Sequence, residues 1–124
     1  MKKFFVFTLL FAAFIAITSN AAVLSDNNDV VGEWKYEVPN APYGYQKGIV
    51  SISEKENELS GEVKFPDGYK VKLKEISYEG NTLKMGLYID YEYITVKAGV
   101  EEETMTGTVR TSDGNIKFTA EKIK

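Results

Sequence analysis

From Gly32 onward, apolar and polar residues alternate with little interruption, and no stretch keeps a helical period for long. A period of two puts every second side chain on one face of a strand. Turn-forming residues punctuate the alternation at near-regular intervals, which predicts eight strands, at about 32–38, 47–53, 59–65, 69–78, 82–89, 92–98, 104–111 and 115–123. One face collects Trp34, Tyr36 and Val38; Val50 and Ile52; Leu59, Val63 and Phe65; Tyr69, Val71 and Leu73; Leu83, Met85 and Leu87; Ile94 and Val96; Met105 and Val109; Ile116 and Phe118. The other face is mainly Lys, Glu, Thr and Ser.

The turns predict registers. Asp90-Tyr91 as a two-residue turn pairs Leu87 with Ile94 and Met85 with Val96. Pro66-Asp67-Gly68 as a three-residue loop, with Gly68 left-handed, pairs Phe65 with Tyr69 and Val63 with Val71. Asp113-Gly114 suits a type I′ turn pairing Val109 with Phe118 and Gly107 with Ala120. Each register sets apolar against apolar, whereas a slip by one residue would put the sets on opposite faces. Between Leu73 and Ile76 the alternation breaks, which predicts a bulge near Lys74-Glu75. Gly48, Gly61 and Gly107 fall on the apolar face, where a missing side chain lets a sheet bend.

Bent, bulged hairpins in series, apolar on one face, predict an all-β fold: an eight-stranded antiparallel up-and-down meander barrel, which leaves no sheet edge. Strands of this length make a barrel about 25 Å tall at ~3.3 Å per residue. An interior of that size holds packed side chains or one small ligand.

Ahead of the barrel, Met1-Lys2-Lys3, the apolar run 4–17 and the small residues Ser19, Ala21 and Ala22 have the form of a secretory signal peptide, residues 1–22. Residues 23–31 are expected as a short flexible leader, and 32–124 as the single barrel domain. No cysteine follows the apolar run, so a lipid-anchored N-terminus is not expected. A periplasmic or secreted location follows, with no membrane span in the mature chain.

Charge and composition narrow the chemistry. The chain has 15 basic and 18 acidic residues, and loss of Lys2 and Lys3 would move the net charge from −3 to −5. Nucleic acid is therefore a poor partner. There is no histidine and no cysteine, which removes imidazole and thiol catalysis and any metal site built on N and S ligands. The acids Glu101-Glu102-Glu103 fall in a turn, and Asp26, Asn27, Asn28 and Asp29 lack the spacing and glycine of a calcium loop. Neither an enzyme nor a cofactor is expected. Lys64, Lys70, Lys72 and Lys84 form a mildly basic outer patch.

Gly32-Glu33-Trp34 at the start of the first strand resembles the Gly-x-Trp motif of the lipocalin-like (calycin) barrels. The resemblance implies that Trp34 closes the barrel base, with a basic residue near the end of the last strand packed over it. Lys122 occupies the matching inward position, so Gly32, Trp34 and Lys122 are the expected closure. It also implies a cavity for one small ligand.

The opposite end gathers the loops 39–46, 66–68, 90–91 and 112–114. The longest carries Pro39, Pro42 and Gly44 together with Tyr43 and Tyr45. Tyr69 and Tyr91 belong to the same end, with Tyr36 and Phe65 on the wall below. This aromatic set, Tyr36, Tyr43, Tyr45, Phe65, Tyr69 and Tyr91, is the candidate ligand site, for a small hydrophobic or sugar-like molecule. Two other uses of the same residues stay open: a plug in which the tyrosines simply pack, and a contact for a cell-envelope protein, as in an interaction or inhibitor module.

Overall fold

Among the described residues, nine strands carry the alternation: β1 (Gly32–Glu37), β2 (Lys47–Lys55), β3 (Glu58–Lys64), β4 (Lys70–Lys72), β5 (Lys74–Glu79), β6 (Thr82–Ile89), β7 (Glu92–Glu101), β8 (Thr104–Thr111) and β9 (Gly114–Lys122). The computed structural model describes residues 26–123. The expected signal peptide and residues 23–25 lie outside them. All pairs are antiparallel, in the order β4-β3-β2-β1-β9-β8-β7-β6-β5, so β1 and β9 join the ends of the chain as a barrel requires. Among the described residues, no helix is long and apolar enough to cross a membrane.

The ninth strand comes from dividing the expected strand 69–78. Its first part, β4, pairs with β3 through Val63↔Val71, and its second, β5, pairs with β6 through Tyr78↔Leu83. Leu73 is the hinge: its N–H still donates to the Gly61 carbonyl across the barrel wall at 2.9 Å. The ladder then shifts between Lys74 and Ser77, and Glu75 takes φ +34. This is the bulge expected at Lys74-Glu75. The barrel is nearly closed, its two sheet edges being consecutive pieces of chain.

Outside the wall, the Tyr93 hydroxyl donates to the Glu75 carboxylate. The Tyr93 ring lies over Gly86, where a Cβ would collide with the phenol. An aromatic residue thus covers the bare backbone beside the bulge, a known device for protecting a glycine within a sheet.

Two of the three expected hairpin registers are found. Asp90 and Tyr91, at φ +51 and +71, make the two-residue turn that sets Leu87 opposite Ile94. Gly68, at φ +93, ends the loop that sets Val63 opposite Val71. The last hairpin differs by two residues. Val109 faces Ile116 and Gly107 faces Phe118, because Ser112-Asp113 form the turn and Gly114 takes the positive φ of +124 at its end. Thr111 secures this choice, donating from Oγ1 to the Gly114 carbonyl and accepting from the Asp113 N–H. A shift of two preserves the inward face, so the core set survives the error.

The segment expected as a leader is built into the barrel from Asp26 on. Asn27–Asp29 form a single 3-10 turn capped by the Asp26 side chain, which accepts from the Asn28 N–H. The turn lies across the base. Asn27 reaches Glu54, Tyr78 donates to Asp29, and Val30 is fully buried. Its acids and amides cap and bridge, as such residues do at helix starts.

Strand β7 also runs past its expected end at 98, carrying buried Val100 to the base. Leu59, Val71, Ile94 and Ile116 are only partly buried, at the margins of the core.

Candidate functional site

Trp34 and Lys122 close one end. They are directly opposed in the β1–β9 ladder, and Lys122 Nζ lies 5.6 Å from the Trp34 ring centroid. The indole N–H donates to the Val30 carbonyl at 2.9 Å, which ties the 3-10 turn to the ring beneath it. Gly32 begins β1 opposite Ile52 at φ +137, a conformation that suits only glycine.

At the other end the interior is open. A cavity of about 310 Å³ lies beneath residues 39–46. Its wall includes Tyr36 from β1, Phe65 just past β3, Met85 and Leu87 from β6, Ile94 from β7 and Phe118 from β9. Tyr36 and Phe118 stack within it, centroids 6.2 Å apart.

The 39–46 segment covers the mouth from one side. Its backbone is tied to itself: Val38 N–H donates to the Gln46 carbonyl, Ala41 N–H to Val38, and the Gln46 amide to Pro39 and Ala41. Tyr45 anchors it to the barrel. Its ring meets Phe65 edge-on at 5.0 Å, and its carbonyl accepts from the buried Tyr36 hydroxyl at 3.2 Å. Across the mouth, the Tyr45 hydroxyl points to Asp90 Oδ2 at 3.4 Å. Burial pushes the Tyr45 phenol above its ordinary pKa, and neighbouring Asp90 adds to the shift. Burial alone does the same for Tyr36.

The candidate aromatics therefore divide. Tyr36, Tyr45 and Phe65 meet at the cavity. Tyr43 and Tyr91 are fully exposed on turns, and Tyr69, 63% exposed, stacks on Phe65 without lining the cavity. Tyr69 shares the parity of Val71 and Leu73, but it immediately follows the loop, its N–H taken by the Asp67 carboxylate, and its ring stays at the exposed rim.

Three carboxylates at the mouth were missed: Asp90, Glu92 and Asp113 all line the cavity. Their signal was present, since Asp90 and Asp113 sit on turns assigned to this end. Glu92 Oε2 accepts from the Ser112 N–H at 2.5 Å, and this bond holds its carboxyl below the usual range. The acids near the opposite end have other work, Asp26 capping and Asp29 accepting from Tyr78.

No protein-family model matches the chain, and no curated protein matches it in sequence. Among solved structures, the fold is similar to the crystal structure of a mutant of the fluorescent protein UnaG. The TM-score is 0.53 with 14% identity, and the match covers 80% of this chain and 99% of that one. At that identity the likeness is one of fold: an antiparallel up-and-down barrel of the lipocalin-like type.

Proposed function

We propose that this protein binds a small, predominantly apolar molecule inside the barrel, beneath residues 39–46. The observation that carries the reading is the cavity of about 310 Å³, within the size range of small-molecule sites. A plugged interior would have its volume taken by Tyr36, Phe65, Met85 and Phe118; instead these four face a common space. An aliphatic and aromatic wall favours a hydrophobic guest over a sugar. The reading is of binding rather than catalysis, since the wall offers packing surface and the carboxylates stand at the rim. The basic start and apolar run of the N-terminus support export, so the site would work in the periplasm or outside the cell.

Titration with a neutral apolar fluorophore such as N-phenyl-1-naphthylamine tests this. Saturable, blue-shifted emission is expected, weakened at least tenfold by Ile94→Trp, which puts a ring into the space, with the far-UV spectrum unchanged. No saturable binding, or equal binding by the filled variant, would overturn the reading.

A second reading rests on the exposed rim tyrosines, Tyr43 at 95% and Tyr91 at 102%. As large exposed aromatics, they suit a protein partner of the cell envelope. Recovery of a specific partner that is lost on Tyr43→Ala with Tyr91→Ala would favour it. Recovery unchanged by the substitutions would count against it.

A further inference from the structure

We propose that the cavity selects an apolar molecule bearing a positive charge, such as a protonated alkyl amine or a quaternary ammonium, with Asp90, Glu92 and Asp113 receiving the charged group; this rests on the reading of the cavity as a binding site. The lining is chemically one-sided. No lysine or arginine is among the residues that line the space. Lys122, which does face inward, is held at the opposite end over Trp34. A guest with a carboxylate head would therefore meet no counter-charge at either depth: inside, it would be desolvated against an apolar wall, and at the mouth it would face like charge.

A cation meets the reverse. Asp90 and Asp113 sit on neighbouring turns of the mouth, and Glu92 begins the strand between them. The bond from Ser112 keeps Glu92 ionised and fixes its position. The Asp90 carboxylate is oriented by the Tyr45 hydroxyl, and the Asp113 carboxylate has no protein partner among the described residues. Aromatic rings supply a second and independent source of attraction. Tyr45 and Phe65 stand at the same mouth, and the electron-rich faces of such rings attract ammonium groups. Apolar depth, aromatic shoulder and carboxylate rim form a sequence that matches the tail, neck and head of a cationic amphiphile.

Decylamine, decanol and decanoate share a tail and differ in head charge. Their displacement of N-phenyl-1-naphthylamine at pH 7 and low salt separates the alternatives. Decylamine is expected to bind at least tenfold more tightly than decanoate, with decanol between them. That preference should shrink in 0.5 M salt, because rim charges are screened. It should also shrink in Asp90→Asn/Glu92→Gln/Asp113→Asn. Asp113→Asn alone, in an exposed turn, should reduce the amine-to-decanol ratio about threefold and provides a variant with little risk to folding. Equal affinities, or a preference for decanoate, would overturn the charge selection and leave the cavity reading standing. An amine preference that persists in the variants would overturn the assignment to these carboxylates. Failure of all three compounds to bind would overturn the cavity reading and this inference together.

Discussion

Lys122 stands directly across the β1–β9 ladder from Trp34, its ammonium 5.6 Å from the centre of the indole. The pair joins the first strand to the last, so it closes the barrel both in space and along the chain. Beneath it the indole N–H holds the Val30 carbonyl, and Val30 seals the base. A closed base leaves the cavity to open at the other end, which is the condition for a pocket with a mouth.

Trp34→Ala should destabilise the barrel by about 3–5 kcal/mol, the usual cost of removing a buried large aromatic. The measure is the urea midpoint, followed by far-UV circular dichroism because the variant loses the only tryptophan. Lys122→Met keeps the aliphatic stem and loses the cation, so it should cost about 0.5–1 kcal/mol. In the wild type, Trp34 emission should be blue-shifted and resistant to acrylamide, since the side chain is fully buried.

Gly107→Ala should cost about 3 kcal/mol, the upper end of overpacking. A Cβ at Gly107 would collide with the Lys97 carbonyl and come within 2.5 Å of the Ala98 Cα, both rigid backbone. Gly99→Ala, on the adjacent strand, is the control. Its Cβ would meet only the Thr106 carbonyl at 3.8 Å, so a change within about 0.5 kcal/mol is expected. Equal thermal midpoints for the two variants would remove the role given to Gly107 in bending the wall.

Stability should fall as pH rises above about 10, the ordinary phenol pKa. Burial raises the Tyr36 pKa in the folded state, so there the folded protein keeps a proton that the unfolded chain releases. The contribution is fully present below the unfolded pKa and is lost as pH climbs through the higher, folded one. Tyr45 and Tyr78 are shifted in the same direction, by burial first and then by Asp90 and Asp29 respectively. Urea midpoints between pH 9 and 11.5 measure the slope. Tyr36→Phe should flatten it, and at pH 7 should cost about 1 kcal/mol for the hydroxyl bond to the Tyr45 carbonyl.

The sequence by itself determined what depends on neighbouring residues. Period-two alternation assigned the inward face, and Asp90-Tyr91 and Pro66-Asp67-Gly68 set their registers through local backbone preference. The broken alternation at Lys74-Glu75 located the bulge, and the inward parity of Lys122 placed it over Trp34. Where two local solutions were close in energy, as at Ser112-Asp113-Gly114, side-chain bonds from Thr111 decided between them.

Only the tertiary structure decided the rest. Residues 26–30 have no strand pattern, and their place at the base depends on Trp34, Glu54 and Tyr78 from distant strands. Tyr69 is exposed at the rim and Tyr45 lines the cavity because of how each loop returns to the wall. The cavity itself is a small difference between the volume the strands enclose and the volume their inward side chains fill. Alternation reports which way a side chain points, but a void is a property of all the strands at once. The charge at its mouth likewise arises from Asp90 and Glu92 of one hairpin and Asp113 of another, which the barrel brings together.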